Sequence, residues 1–224
     1  MLPYDFTIDM GWKDDVYTVL ERDPAPRSFS EALMFSPGLH AILIQRVSHR
    51  FYVKGQYKIA RLLNYWGRVL TGADVHPGAT VGKGFFIDHA TGVVVGETTI
   101  IGDNVSIFQG VTLGGVSTSK EEKRHPTIGN NVTIGAHATV LGDIVVGDNS
   151  KVGAGSVVVK DVPPNSTVVG IPGKVVRKNG EKPTQPRTEN LPDPMVNALN
   201  DICTSLEKLE HRMDALEEKL KKGF

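Results

Sequence analysis

A mainly β fold is predicted: a hexapeptide solenoid with a helical N-terminal region and a C-terminal amphipathic, coiled-coil-type helix. Three observations predict it. First, an aliphatic residue recurs at every sixth position in three runs: Val75, Val81, Ile87; Val95, Ile101, Ile107, Leu113; and Ile128, Ile134, Val140, Val146, Val152, Val158. A helix would need apolar residues every three or four positions and a flat strand every second, so a period of six fits only short strands turning at fixed corners. Second, glycine follows most ladder positions, among them Gly82, Gly102, Gly129 and Gly147. This suits corners where chains approach closely. Third, the segments on either side change period, to helical steps before the ladder and to heptads after it.

Residues 1–70 read as helical. A short helix over Asp14 to Leu20 ends before Arg22-Asp23-Pro24-Ala25-Pro26, where two prolines forbid its continuation. Ser28 or Ser30 is placed to cap a second helix over Glu31 to Phe35, which Pro37-Gly38 is expected to break. A third runs from Leu39 to about Lys54, where Gly55 ends it, and a fourth spans Tyr57 to Leu70 with Ile59, Leu62, Leu63, Trp66 and Leu70 at three- and four-residue steps. These helices are expected to pack on the first solenoid coil, whose open end exposes backbone edges. The solenoid domain takes residues 71–177, with a last irregular rung around Ile171-Pro172-Gly173. Residues 178–194 carry Pro183, Pro186, Pro192 and Pro194 among polar residues and read as an extended linker. Residues 195–222 then form a heptad helix. Met195, Leu199, Ile202, Leu206, Leu209, Met213, Leu216 and Leu220 follow alternating steps of four and three.

The 224 residues hold 25 basic and 25 acidic side chains. Nothing in that balance steers the chain toward nucleic acid or an anionic membrane. The single Cys203 forms no internal disulfide, and residues 1–5 lack the basic start and apolar stretch of a signal peptide, so a cytoplasmic location is expected. No window approaches the roughly 20 apolar residues of a spanning helix.

The ladder is interrupted twice, and the interruptions hold the chemistry. From Ile87 to Val95 there are two extra residues, and the segment reads Asp88-His89-Ala90-Thr91-Gly92. An imidazole titrates near neutrality and suits a general base, provided that an acid orients it. Asp74, fifteen residues earlier, is a candidate, since stacked coils bring the two close; an ordinary turn histidine and a corner-capping aspartate remain the alternative. From Leu113 to Ile128 there are nine extra residues, which must leave the wall as a loop. Its candidate working residues are Arg124, able to clamp a carboxylate with two parallel hydrogen bonds, and His125; the alternative is a solvated charged loop. His40, His49 and His211 fall on helical patterns, His76 at a corner, and His137 is expected to point outward from a rung.

With these residues in view the sequence resembles the serine O-acetyltransferases of cysteine biosynthesis, within the hexapeptide-repeat acyltransferase superfamily, and specifically their short bacterial-type members. The resemblance is carried by Arg22-Asp23-Pro24-Ala25, Val75-His76-Pro77-Gly78-Ala79, Asp88-His89-Ala90-Thr91-Gly92-Val93-Val94-Val95-Gly96-Glu97-Thr98, Arg124-His125-Pro126 and Gly153-Ala154-Gly155-Ser156. It implies a left-handed parallel β-helix, a homotrimer with sites between subunits, acetyl-CoA and L-serine as substrates, no metal, and L-cysteine as a feedback inhibitor. His89 would act as general base with Asp74 orienting it. Asp23 and Asp88 would hold the serine ammonium, Arg124 its carboxylate, and His125 would lie close by. Gly114, Ala136 and Ala154, with Lys151 nearby, would line the coenzyme groove.

Three departures from the family pattern bear on these expectations. The N-terminal region is shorter than in long members, which favours a lone trimer over a hexamer. The family's Gly-Gly-Thr-Gly-Lys is here Gly114-Gly115-Val116-Ser117-Thr118. Members that dock into O-acetylserine sulfhydrylase end in isoleucine, whereas this sequence ends in Phe224. The nearest rival within the superfamily is an O-acetyltransferase acting on a sugar or other hydroxyl. A carbonic-anhydrase-like lyase would need three imidazoles converging on zinc, for which the histidine spacing is wrong. A non-catalytic scaffold working through the heptad helix is a third reading.

Overall fold

The computed structural model describes residues 11–118, 122–179, 204–206, 208, 209 and 213. The chain divides into two units, residues 1–183 and 184–224. In the second unit the described residues are helical, and Leu206, Leu209 and Met213 of the predicted seam are exposed. The remainder of that seam and nearly all of the predicted linker lie outside the described residues.

The first unit opens with four helices. Helix α1 (Trp12–Arg22) stops at Asp23, one residue before Pro24. Helix α2 (Phe29–Phe35) is capped by Ser28, whose Oγ accepts the Glu31 N–H at 3.2 Å. Helix α3 (Pro37–Val53) starts at the pair expected to break it. Proline at the first helical position loses only an N–H that has no intrahelical partner, and its fixed φ is already helical, so Pro37 ends α2 and begins α3. Gly38 is needed there for space, because a Cβ would overlap the Ile87 carbonyl. Helix α4 (Tyr57–Thr71) closes on Gly72, which has φ +77°.

The expected period of six is realised as a three-sided prism. The first coil is β1 (Asp74–Val75), β2 (Thr80–Val81) and β3 (Phe86–Ile87), and the second β4 (Val94–Val95), β5 (Ile100–Ile101) and β6 (Ser106–Ile107). The third is β7 (Thr112–Gly114), β8 (Thr127–Ile128) and β9 (Thr133–Ile134), and the fourth β10 (Thr139–Leu141), β11 (Val145–Val146) and β12 (Lys151–Val152). The last turn holds β13 (Val157–Val158), β14 (Ser166–Val169) and β15 (Lys174–Lys178). Three sheets result, ordered β1-β4-β7-β10-β13, β2-β5-β8-β11 and β3-β6-β9-β12-β14-β15. All pairs are parallel except β14 with β15, so the expected irregular rung is a hairpin folded back on the final strand.

Register aligns each ladder column: Val75, Val95, Leu113, Val140 and Val158 in one sheet; Val81, Ile101, Ile128 and Val146 in the next; Ile87, Ile107, Ile134, Val152 and Val168 in the third. These side chains fill the prism, and all but Val81 are essentially buried. Each contributes about 1.5–3 kcal/mol of transfer free energy. The architecture is consistent with a left-handed β-helix.

Helices α3 and α4 cover the open first coil. The face that α4 buries is small and polar, Ala60, Asn64, Gly67 and Thr71. Its large apolar residues Ile59, Leu62, Trp66 and Leu70 are exposed in the single chain. The periodicity therefore located the helix but not the face that meets the prism. Among the described residues no helix is long and apolar enough to cross a membrane.

Candidate active site

The prism has three edges, and the candidate residues are distributed among them. At the edge between β3 and β4, the two extra residues enlarge the corner. His89 and Ala90 there take left-handed backbone angles, φ 58° and 45°. Such angles are uncommon for residues with a Cβ and mark a position held by its surroundings. The turn is closed by the Gly92 N–H, which donates to the Gly72 carbonyl at 2.9 Å. The His89 side chain is 77% exposed and its Nε2 lies 3.8 Å from Asp88 Oδ1. Asp74 begins the strand alongside this corner, and its N–H donates to the Val93 carbonyl at 2.8 Å. Its carboxylate faces α4: Oδ1 accepts from Asn64 Nδ2 at 3.0 Å and Oδ2 pairs with Arg68 at 3.3 Å. Asp74, Asp88 and His89 thus share one edge. Ala136 and Ala154 lie lower on the same edge, where Gly155 N–H donates to the Ala136 carbonyl at 2.8 Å. His137, beside Ala136, is exposed and packs beneath Gly110.

Arg124 and His125 occupy a different edge, between β7 and β8, with Gly114 at its start. The first residues of β5 and β8, Ile100 and Thr127, pair directly. Counting back three places sets Glu97 opposite Arg124 and Thr98 opposite His125. Arg124 forms an ion pair with Glu97, whose other oxygen accepts the Tyr52 hydroxyl of α3 at 2.8 Å. The Thr98 hydroxyl meets His125 Nδ1 at 2.9 Å. His125 is buried; a Cβ at Gly96 would overlap its ring. Lys123 anchors the loop, donating to the His125 carbonyl at 2.5 Å and to Asp143 at 2.6 Å.

The electrostatics of this edge are coupled. Burial, and then the Arg124 charge, lower the His125 pKa, and burial likewise lowers that of His76. The Tyr52 hydrogen bond leads the lowering of Glu97, and burial pushes Tyr52 up to about 12, keeping it a donor. Sequence reasoning missed Tyr52 and Glu97 as partners of the loop. The signal was present as the 27-residue offset from 97 to 124.

Asp23 lies at the end of α1. Its Oδ1 accepts the Ala25 N–H at 2.9 Å, while Arg22 ties the helix to the third edge through the Gly84 carbonyl at 3.1 Å and Ser106 Oγ at 2.9 Å. Lys151 opens β12 and is exposed. One chain therefore sets Asp74, Asp88 and His89 on one edge and Arg124 and His125 on another, with the Asp74 carboxylate held by Asn64 and Arg68. With about 3.3 Å of rise per strand residue, adjacent edges stand on the order of 15 Å apart.

Comparison with known proteins places this arrangement. Residues 125–160 match the bacterial transferase hexapeptide (six repeats) family. A serine acetyltransferase of Bacillus pumilus is 50% identical over 209 residues, covering 92% of this chain and 95% of that protein. The chain belongs to the serine acetyltransferase family. Among solved structures, the Neisseria gonorrhoeae serine acetyltransferase in complex with serine is 48% identical with a TM-score of 0.71, over 74% of this chain and 67% of that one. The Brucella abortus serine acetyltransferase in complex with coenzyme A is 45% identical with a TM-score of 0.72, over 75% and 66% of the two chains. Each of these two structures thus matches about three quarters of this chain.

Proposed function

We propose that this chain transfers the acetyl group of acetyl-CoA to the hydroxyl of L-serine, giving O-acetyl-L-serine and free coenzyme A. The observation that carries the reading is where a uniform prism is broken. Its two interruptions hold Asp88-His89 and Arg124-His125, in a chain half identical to a serine acetyltransferase over 92% of its length.

In this mechanism His89 takes the proton from the serine hydroxyl as the oxygen bonds to the thioester carbonyl carbon. The tetrahedral adduct collapses with cleavage of the carbon–sulfur bond. The departing sulfur then takes the proton from the imidazolium, which restores His89. Asp74 favours the imidazolium and orients the ring. Asp23 and Asp88 hold the substrate ammonium, Arg124 its carboxylate, and His125 lies beside it. Gly114, Ala136 and Ala154 leave room for the pantetheine arm, with Lys151 near the coenzyme.

The residues of the site stand on different edges of one prism, which supports a homotrimer in which the His89 edge of one subunit faces the Arg124 edge of the next. The heptad helix is then a clasp for the same trimer. L-cysteine carries the same ammonium and carboxylate as L-serine, so it competes for the same clamps and inhibits. Thiol release from acetyl-CoA, followed with L-serine, other amino acids and sugars as acceptors, tests the activity. Release should require L-serine, and His89→Ala should lower it about 10²–10⁴-fold. Serine-independent release, or an unaffected His89→Ala protein, would overturn the proposal.

A further inference from the structure

The loop of a long coil can place side chains only as well as its legs are fixed, and beside the Lys123 anchor two adjacent residues on the coil above hold Arg124 and His125. Thr98 has a hydroxyl with two acceptor sites and one donor. Both acceptor sites are filled, by the Arg124 N–H at 3.1 Å and the His125 N–H at 3.1 Å. The hydroxyl proton is left for His125 Nδ1, 2.9 Å away. The backbone N–H of Thr98 also points at Nδ1, at 3.2 Å, and a backbone N–H can only donate. Nδ1 must therefore be an unprotonated acceptor, and the ring carries its proton on Nε2.

That Nε2–H has no hydrogen-bond partner among the described residues, and glycine at 96 and 115 keeps a Cβ from crowding it, since one would come within 2.1 Å and 3.2 Å of Nε2. The neighbouring residue Glu97 does for the Arg124 side chain what Thr98 does for the backbone. One carboxylate oxygen pairs with the guanidinium and the other is held by Tyr52. Arg124 presents a rigid fork of donors, so fixing one nitrogen sets the plane of the others.

We infer that Glu97 and Thr98 are positioning residues for substrate recognition: Glu97 orients the Arg124 guanidinium, and Thr98 locks His125 as a neutral Nε2–H donor toward the bound amino acid. Tyr52 extends the device into α3. The inference deepens the proposed function, resting on its reading of Arg124 and His125 as contacts to serine.

The test uses the full-length protein with L-serine and acetyl-CoA. Thr98→Val removes the hydroxyl and keeps the shape; Thr98→Ser restores it; Glu97→Gln removes the charge. Thr98→Val and Glu97→Gln should each raise the KM for L-serine about tenfold, the loss expected when a charged or doubly used hydrogen bond goes. The KM for acetyl-CoA and kcat should stay within about threefold of the parent, because His89 is untouched. Thr98→Ser should return to the parent value. A protein that is merely less well folded would lose kcat and leave the serine KM alone. Nitrogen-15 NMR of the imidazoles gives a readout independent of turnover: His125 should show a protonated Nε2 and bare Nδ1 in the parent, and mixed tautomers in Thr98→Val. A parent His125 protonated on Nδ1, or a serine KM unchanged in both Thr98→Val and Glu97→Gln, overturns the inference. If Arg124→Ala also leaves the serine KM unchanged, the clamp reading itself has failed, and the inference falls with it.

Discussion

Thr98 and Thr99 are adjacent and chemically identical, and their hydroxyls have opposite fates. The Thr98 oxygen is saturated. The Thr99 Oγ1 is buried with no hydrogen-bond partner among the described residues. Its backbone is satisfied, the N–H donating to the Gly96 carbonyl and the carbonyl accepting from Thr80. The orphan is therefore the side-chain oxygen alone, and a buried unpaired hydroxyl costs about 1–3 kcal/mol. Thr99→Val exchanges it for a methyl of similar size. This change should stabilise the protein by about 1 kcal/mol, equivalent to a rise in Tm of roughly 2–4 °C for a chain of this length. Thermal unfolding followed by circular dichroism measures it, and a lower Tm would show that the hydroxyl is partnered in solution. Nothing in the string Glu97-Thr98-Thr99 distinguishes these threonines, because the distinction lies in what the next coil places opposite them.

At the scale of the coil, much was legible because six-residue spacing converts directly into columns of a three-sided prism. Every ladder residue from Val75 to Val158 stands in one of three aligned columns. The two interruptions were legible for the same reason, since an excess of residues in a fixed frame must bulge. The partners of the bulges were not. Glu97 faces Arg124 only after the long loop is counted as part of one 27-residue coil, and Tyr52 comes from a helix whose docking angle no local pattern records. The apolar stripe of α4 likewise named a helix without saying that its small residues would face the prism.

The edge where Tyr52, His76, Glu97, Arg124 and His125 gather also sets a pH response. His76 and His125 have lowered folded pKa values, so below the ordinary histidine value of about 6.5 the unfolded chain binds more protons than the folded one. Their contribution is present above that pH and declines as the solution is acidified toward the folded values. Glu97, also lowered, adds its loss only below about 4.5. Both effects have the same sign. Urea midpoints should fall from pH 7.5 to pH 5.5, and His125→Gln should flatten that slope. A midpoint independent of pH across this window would contradict the assignment of lowered imidazole pKa values to His76 and His125.

For the whole molecule, the separation of the His89 edge from the Arg124 edge makes a prediction that no single-site variant can test. His89→Ala and Arg124→Ala should each be nearly inactive alone. If the two variants refold together into the proposed trimer, a site built from His89 of one variant and Arg124 of the other is intact. With random assortment in a closed ring, about a quarter of the sites regain both residues. Activity recovered to about that fraction of the parent supports sites shared between subunits, whereas no recovery places each site within one chain.

A prism of stacked coils has no natural length, since each coil presents to the next the same edge that it received. The N-terminal edge is covered by α3 and α4. At the other end, β15 reverses direction and runs antiparallel along β14, so the last strand of that sheet offers an incoming parallel coil nothing in register. The hairpin at Ile171-Pro172-Gly173 is in this sense a terminator. It closes this sheet against a further parallel coil, and a chain cut before Lys174 would leave the β14 edge open to another copy.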